Sequence, residues 1–319
     1  MLFSSIPVPL RSGLAAAAVL LSASLLGGCG LGAGTTPGAV TLTVTREFGA
    51  QPVSADGALK VHGEETVLSL LMRNYDVATD DGGGFVQSIN GHSSGHAQSE
   101  PIDWFYYVNG IEAPRGAAST TVYGGDAVWW DLHDWSQTSS TPAVVGSFPE
   151  PFVHGIAGKR LPVRIECSEV QGEACQTVIA RMRAIDVPAG VAALGPASEE
   201  EGETLRVAVA PWSVLRSLPA AEVLTKGPRA SGVYVRIPPA GGSIALLDAS
   251  GHTRTTLGAG AGLLAAVRPP NAAPLWIITG TDTAGVDRAA QALTTSSLRN
   301  HFAVAVQPSG AVLALPRSG

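Results

Sequence analysis

The sequence predicts two folds in series: an α+β lobe of β-grasp-like type over residues 40–135, then an α/β lobe with a mixed sheet over residues 161–316. Three observations carry this. Asp103-Trp104-Phe105-Tyr106-Tyr107-Val108-Asn109-Gly110 and Gly125-Asp126-Ala127-Val128-Trp129-Trp130-Asp131 are two aromatic, β-branched runs, and Asn-Gly after the first is a strong signal for a tight turn. Upstream, Val67, Leu68, Leu71 and Tyr75 recur at helical spacing between strand-like segments. Beyond residue 160, apolar strand patterns alternate with helical ones, the order that builds a sheet covered by helices.

The elements follow in chain order. Residues 1–28 carry one charge, Arg11, and a short apolar stretch from Gly13 to Leu26, which reads as a secretory leader rather than a membrane span of about 20 residues. Leu26-Gly27-Gly28-Cys29 resembles the lipobox of bacterial lipoproteins. Cys29 is therefore expected to carry a lipid anchor in the cytoplasmic membrane, on its extracytoplasmic face. Residues 29–39, rich in Gly and Thr, read as a flexible tether. Val40 to Thr45 alternates as a first strand, and Glu64 and Glu65 sit where a helix N-terminus favours negative charge. Gly82-Gly83-Gly84 turns the chain into a strand from Phe85 to Ile89.

Residues 136–160 are rich in Ser, Thr, Pro and Gly and read as a linker, although Phe148, Phe152 and Val153 predict that it packs along a lobe. In the second lobe, strands are expected at Pro162–Glu166, Leu205–Ala210, Gly232–Ile237, Ser243–Leu247, Leu275–Thr279 and Phe302–Val306. Helices are expected at Ala174–Ala184 and Ala284–Leu298, with a short one after Gly258-Ala259-Gly260-Ala261-Gly262. Export makes Cys167 and Cys175 a default disulfide, since they are an even pair in an oxidising compartment.

Composition excludes some partners. Loss of Arg11 with the leader takes the formal charge from −6 to −7, and no basic cluster is present, which argues against nucleic acid. No enzyme constellation stands out. Gly91-His92-Ser93-Ser94-Gly95 fits the hydrolase pattern, but the polar, proline-ended stretch after it does not read as the helix such a serine needs. His92 and His96 have metal-like spacing only in a helix, with His133 as a third member. Asp126, Asp131 and Asp134 read as turn and rim residues.

The surplus of aromatic rings is the main functional signal. Successive strand side chains alternate in face, and one helix covers only one face of a small sheet. Phe105, Tyr107 and Val128 are expected under the helix. Trp104, Tyr106 and one of Trp129 or Trp130 are then left on an open face, with Gln87 and Asn90 nearby as hydrogen-bond partners for a ligand.

Taken in order, Thr66 to Tyr75, Gly82 to Gly91, Trp104 to Gly110 and Gly124-Gly125-Asp126 resemble the transcobalamin-like C-terminal domain, over roughly residues 40–135. In the cobalamin carriers a lobe of this kind closes over cobalamin held against a helical barrel. The resemblance implies a β-grasp-like fold, cobalamin or a related corrinoid as ligand with no cofactor required, and hand-over to a membrane transporter. Gly258–Gly262 and Gly280-Thr281-Asp282 read as structural turns, with Asp282 suited to cap a helix; if the first lobe clamps a ligand, these turns are where the second lobe would supply the opposite jaw. The alternative is an envelope protein-interaction lipoprotein whose aromatic face docks another domain or chain.

Overall fold

In the first lobe the strand Ala39–Arg46 runs parallel to Ala127–Asp134, which pairs antiparallel with Glu100–Val108. Gln51–Pro52 and Gly57–Lys60 extend the sheet on one side, and Gly95–Ala97 and Ile111–Glu112 extend it beyond the aromatic strand. A three-stranded sheet of Val77–Asp80, Phe85–Ile89 and His92–Ser93 lies beside it. The structure is a computed structural model, and it describes residues 38–54, 57–80, 84–97, 99–195, 203–270 and 272–318. The leader, most of the tether, Cys29, Gly82 and Gly83 lie outside the described residues.

One helix, Val67–Asn74, covers this sheet. Its start is fixed by Thr66, whose hydroxyl accepts from the Ser69 amide while the Ser69 hydroxyl accepts from the Thr66 amide. Glu64 and Glu65 precede the Thr66 cap rather than lying in the first turn, and Glu65 pairs with Arg73 at 2.9 Å. The helix buries Val67, Leu68, Leu70 and Leu71 against Val40, Leu42 and Val44 of the first strand.

The second lobe is built on a seven-stranded sheet in the spatial order Ala189–Ala193, Val163–Cys167, Leu205–Val209, Leu275–Gly280, Gly262–Val267, Ala303–Val306, Val312–Leu315. The first four strands are parallel and the rest antiparallel, giving the mixed sheet expected. The helices Glu173–Ala184 and Thr283–Gln291 pack on one face. Short helices, Trp212–Leu215 among them, and the small sheet Val235–Arg236, Ile244–Leu247, Thr253–Leu257 cover the other. Strands buried on both faces need continuous apolar sequence, and Leu275 to Gly280 is buried throughout.

Two expected elements differ. Gly262–Val267 is a strand, not a short helix, because it is wedged between Leu275–Gly280 and Ala303–Val306 and buried at every residue. A short apolar run of this kind does not distinguish strand from helix by periodicity. The Ala284–Leu298 helix is broken into Thr283–Gln291 and Thr295–Leu298, the second started by the Thr294 hydroxyl, which accepts from the Ser297 amide. The Cys167–Cys175 disulfide is present and ties the end of one strand to the first turn of the helix after it.

Residues 136–160 are not a spacer. Val145, Phe148 and Phe152 are buried in the second lobe's core, with the Phe152 ring centred 4.9 Å from Trp276. The same stretch stitches both lobes by backbone: the Val144 amide donates to Gly110 O at 2.8 Å, and the Val145 amide to Phe302 O at 3.1 Å. The described residues accordingly belong to one compact unit. At the coarsest level this is a mixed α/β protein of several sheets and few helices.

Candidate functional site

The aromatic strands alternate as the sequence requires, and Val128 lies under the helix as expected, but the rings of Trp104 to Tyr107 have their faces exchanged. Trp104, Tyr106, Val128 and Trp130 share the face under the Val67–Asn74 helix, with Tyr106 stacked on Trp130 at 4.8 Å. Two of the polar tips are engaged: Trp104 Nε1 donates to His92 O at 3.0 Å, and the Tyr106 hydroxyl donates to Arg115 O, whereas the buried Trp130 Nε1 has no partner among the described residues. Burial without a charged partner raises the Tyr106 pKa, despite the Thr120 hydroxyl beside it. Phe105, Tyr107 and Trp129 occupy the opposite face.

That opposite face is not open. Tyr107 and Trp129 are buried against Val144, Tyr234, Leu247 and Phe302, the last three from the second lobe. Phe302 is the central wedge, with ring centroids 5.1 Å from Phe48, 5.5 Å from Tyr107, 5.2 Å from Trp129 and 5.2 Å from His133. All four rings expected to meet a ligand are therefore buried: Trp104, Tyr106 and Trp130 by the helix, and Trp129 by the second lobe. Gln87 and Asn90 bond locally, Gln87 Nε2 to Asp80 Oδ2 at 2.8 Å and the Asp76 amide to Asn90 Oδ1 at 3.1 Å.

The charged groups at the seam are bonded internally, while the buried Tyr107 and Tyr234 hydroxyls have no hydrogen-bond partner among the described residues. Asp131, fully buried, accepts from the Phe48 and Gly49 amides at 2.9 and 2.8 Å, bonds the Thr45 hydroxyl, and faces His133 Nδ1 at 2.9 Å. Trp129 Nε1 in turn donates to Thr45 Oγ1 at 2.7 Å. His133 is held between Phe48 and Phe105, each 4.5 Å away. His133 is thus bonded to Asp131 rather than grouped with His92 and His96, and among the described residues no group of three or more His, Cys, Asp or Glu is arranged to hold a metal.

Beside this seam lies a cleft of about 290 Å³. Thr41 and Thr43 of the first strand, Trp129, the turn from Gly146 to Glu150, and Thr295, Arg299 and Asn300 line it. Gly146 is required here: a Cβ on it would lie 2.7 Å from Trp129 Cζ3 and 2.8 Å from the His301 backbone. Gly49 is tighter still, with φ +84° and a Cβ position 1.8 Å from Asn300 O. These two residues let the second lobe's 300–301 backbone come up against the aromatic sheet.

Two buried carboxyls stand near the cleft. Glu150 accepts from the His154 amide at 2.9 Å and bonds its Nδ1 at 2.6 Å, yet burial pushes its pKa up, with a smaller contribution from Asp126. Burial also raises Asp126, which accepts from Asn109 Nδ2 at 2.7 Å and from the Tyr123 amide at 2.8 Å. Both carboxylates are committed to fixing turns. The cleft is thus lined by Trp129, by threonine hydroxyls and by Arg299, which is itself engaged within the protein.

The remaining sequence signals resolve as structure. Gly91 to Gly95 spans the strand His92–Ser93 and the start of the next, not a strand-to-helix elbow. The two glycine turns of the second lobe meet each other: Asp282 caps its helix by accepting from the Gly285 amide at 2.9 Å and also accepts from the Gly260 amide at 2.7 Å. The carboxylate fills the place an anion would take, so these turns form no opposing jaw. The cleft was missed because it is assembled from residues about 40, 129, 147 and 299, and no local motif joins them.

Residues 64–134, which span the helix and both aromatic strands, match the family model described as Domain of unknown function (DUF4430). That match is consistent with the transcobalamin-like resemblance. No curated protein matches the chain. A crystal structure from Ruminococcus gnavus ATCC 29149, of a protein described on inference as metal-binding, shares 20% identity with a TM-score of 0.24, covering 30% of this chain and 97% of that one. A likeness at that score carries no argument about ligand.

Proposed function

We propose that the chain is a non-enzymatic binding lipoprotein of the cell envelope, tethered through Cys29 to the extracytoplasmic face of the cytoplasmic membrane. Its β-grasp-like, transcobalamin-like lobe is fused to the second lobe, and a small polar solute is held in the cleft at their seam for hand-over to a membrane transporter. The observation that carries this is the use of the aromatic face. Phe302 consumes that surface in joining the lobes, which leaves the seam cleft, lined in part by Trp129 and by Thr41 and Thr43, as a concave site beside it. Binding sites favour such junctions, and ~300 Å³ is at the small end of their range.

A corrinoid is the ligand the family resemblance implies, and it needs exposed rings. Burial of Trp104, Tyr106, Trp129 and Trp130 supports a smaller occupant. The same burial favours docking over cargo as the role of the aromatic face, with the chain's own second lobe as the docked partner. No helix among the described residues is long and apolar enough to cross a membrane; the proposed attachment through Cys29 rests on the lipobox-like Leu26 to Cys29 alone.

The test is a titration of the full chain with mixtures of amino acids, short carboxylic acids and monosaccharides, followed by backbone NMR. Shifts confined to Thr43, Trp129 and Arg299, and lost in Thr43→Arg, are expected. Stoichiometric retention of cobalamin through gel filtration, undiminished in Thr43→Arg, would overturn the reading.

A further inference from the structure

A second and larger cavity, of about 400 Å³, lies wholly apart from the seam cleft. It opens where the strand Gly262–Val267 ends and Leu275–Gly280 begins, since Val267 and Leu275 are paired at this end of the sheet. Short helices of the second lobe line one side of it, and its walls are mainly hydrocarbon, from Leu218, Val223, Val267 and Leu275. Pockets that hold small molecules share this composition, with few polar groups placed among apolar ones.

The charge on its walls is one-sided. Arg206 and Arg268 both line the cavity, and no described lining residue is acidic. Arg206 is already engaged, its Nη2 donating to Glu166 Oε2 at 2.6 Å and its Nε to the same carboxylate. Arg268 is different. Its Nε donates to Ala272 O at 2.9 Å, which fixes the plane of the guanidinium, and among the described residues no carboxylate pairs with it. Burial alone draws its pKa below the usual arginine value, as expected for a desolvated cation without a counter-charge. A half-buried cation of this kind costs free energy that an incoming anion relieves.

We propose that this cavity is a binding site for a small apolar carboxylate, whose tail packs on Leu218, Val223, Val267 and Leu275 and whose carboxylate pairs with Arg268. Two features select this class. A polar anion such as acetate gains the charge but wastes the hydrocarbon walls, and a neutral alcohol of the same length fills the walls but leaves Arg268 uncompensated. Charge-assisted hydrogen bonds to a guanidinium are roughly twice as strong as neutral ones, so the carboxylate should be the better ligand.

The experiment is calorimetric titration of the full chain, in detergent-free buffer, with octanoate, octanol and acetate as separate probes. Octanoate is expected to bind at least about tenfold more tightly than octanol, from the worth of a hydrogen-bonded charge, and acetate weaker than both. Arg268→Gln should bring octanoate down to the affinity of octanol while leaving octanol itself unchanged, which shows that the variant is folded. Ala230→Phe, at the exposed rim, should weaken both eight-carbon probes. Equal binding of octanoate and octanol, no binding of either, or octanoate affinity untouched by Arg268→Gln would overturn the proposal.

Discussion

Phe302→Ala is the perturbation that reaches furthest into this structure. The ring is 3% exposed and stands within 5.5 Å, centroid to centroid, of Phe48, Tyr107, Trp129 and His133. Truncating a buried phenylalanine costs about 3–5 kcal/mol when the cavity cannot collapse. Collapse is poor here, because Asp131 fixes the Phe48 and Gly49 backbone and Trp129 is tied to Thr45. For a chain of this size each kcal/mol is worth roughly 2–4 °C, which places the fall in Tm on the order of 10 °C. Differential scanning calorimetry is the assay, with acrylamide quenching of tryptophan fluorescence beside it. The expected result is a single transition displaced downward, together with a rise in quenching that a Trp129→Phe background abolishes. Refutation takes a specific form: two transitions in the parent chain, of which Phe302→Ala moves only one, with Trp129 already quenchable before the change.

Other outcomes follow from the same contacts. Replacing Cys167 and Cys175 by serine opens a loop of eight residues' separation and should cost about 2–3 kcal/mol by the chain-entropy estimate, measured as a lower denaturant midpoint at unchanged slope. Gly146→Ala forces a methyl group against Trp129 and the His301 backbone, for a loss of about 1–3 kcal/mol, whereas the same change at Gly242, where a Cβ has nothing within 4 Å, should be set by its positive φ alone. Glu150 has its folded pKa raised above the ordinary 4.5, so the folded state holds more protons and stability falls as pH rises from 4.5 through the folded pKa. Glu150→Gln should flatten that part of the stability–pH curve while keeping an acceptor for the His154 amide, and an unchanged slope would contradict the assignment.

The alternation of Trp104 to Val108 and of Val128 to Leu132 was legible in the sequence, as were the helix upstream of them, the disulfide and the strand–helix order of the second lobe. Which face the helix covers was not. Both faces carry indole and phenol rings, so apolar content alone does not rank them. The signal that ranks them is polar: Asp103, Asp131 and His133 share the face of Phe105, Tyr107 and Trp129, and a helix burying only hydrocarbon has no partners to offer them. The second lobe's approach does allow it, since Thr45 and the Phe48–Gly49 amides satisfy Asp131. Gly262–Val267 was misread for a related reason. Its six residues are apolar throughout, and only the two strands that flank it decide that it extends. The cleft and the Arg268 cavity were out of reach because each is formed by segments far apart in the chain.

Native-state hydrogen exchange at the stitch between the lobes tests the central claim most directly. The Val144 amide bonds Gly110 of the first lobe, and the Val145 and Asn300 amides bond across to Phe302 and Gly146. A sealed aromatic face predicts that these three amides exchange only through global opening, as slowly as those of the Ala127–Asp134 strand. Fast exchange at all three, with both lobes' core strands still protected, would mean that the lobes part freely, and the aromatic face would again be a surface waiting for a ligand.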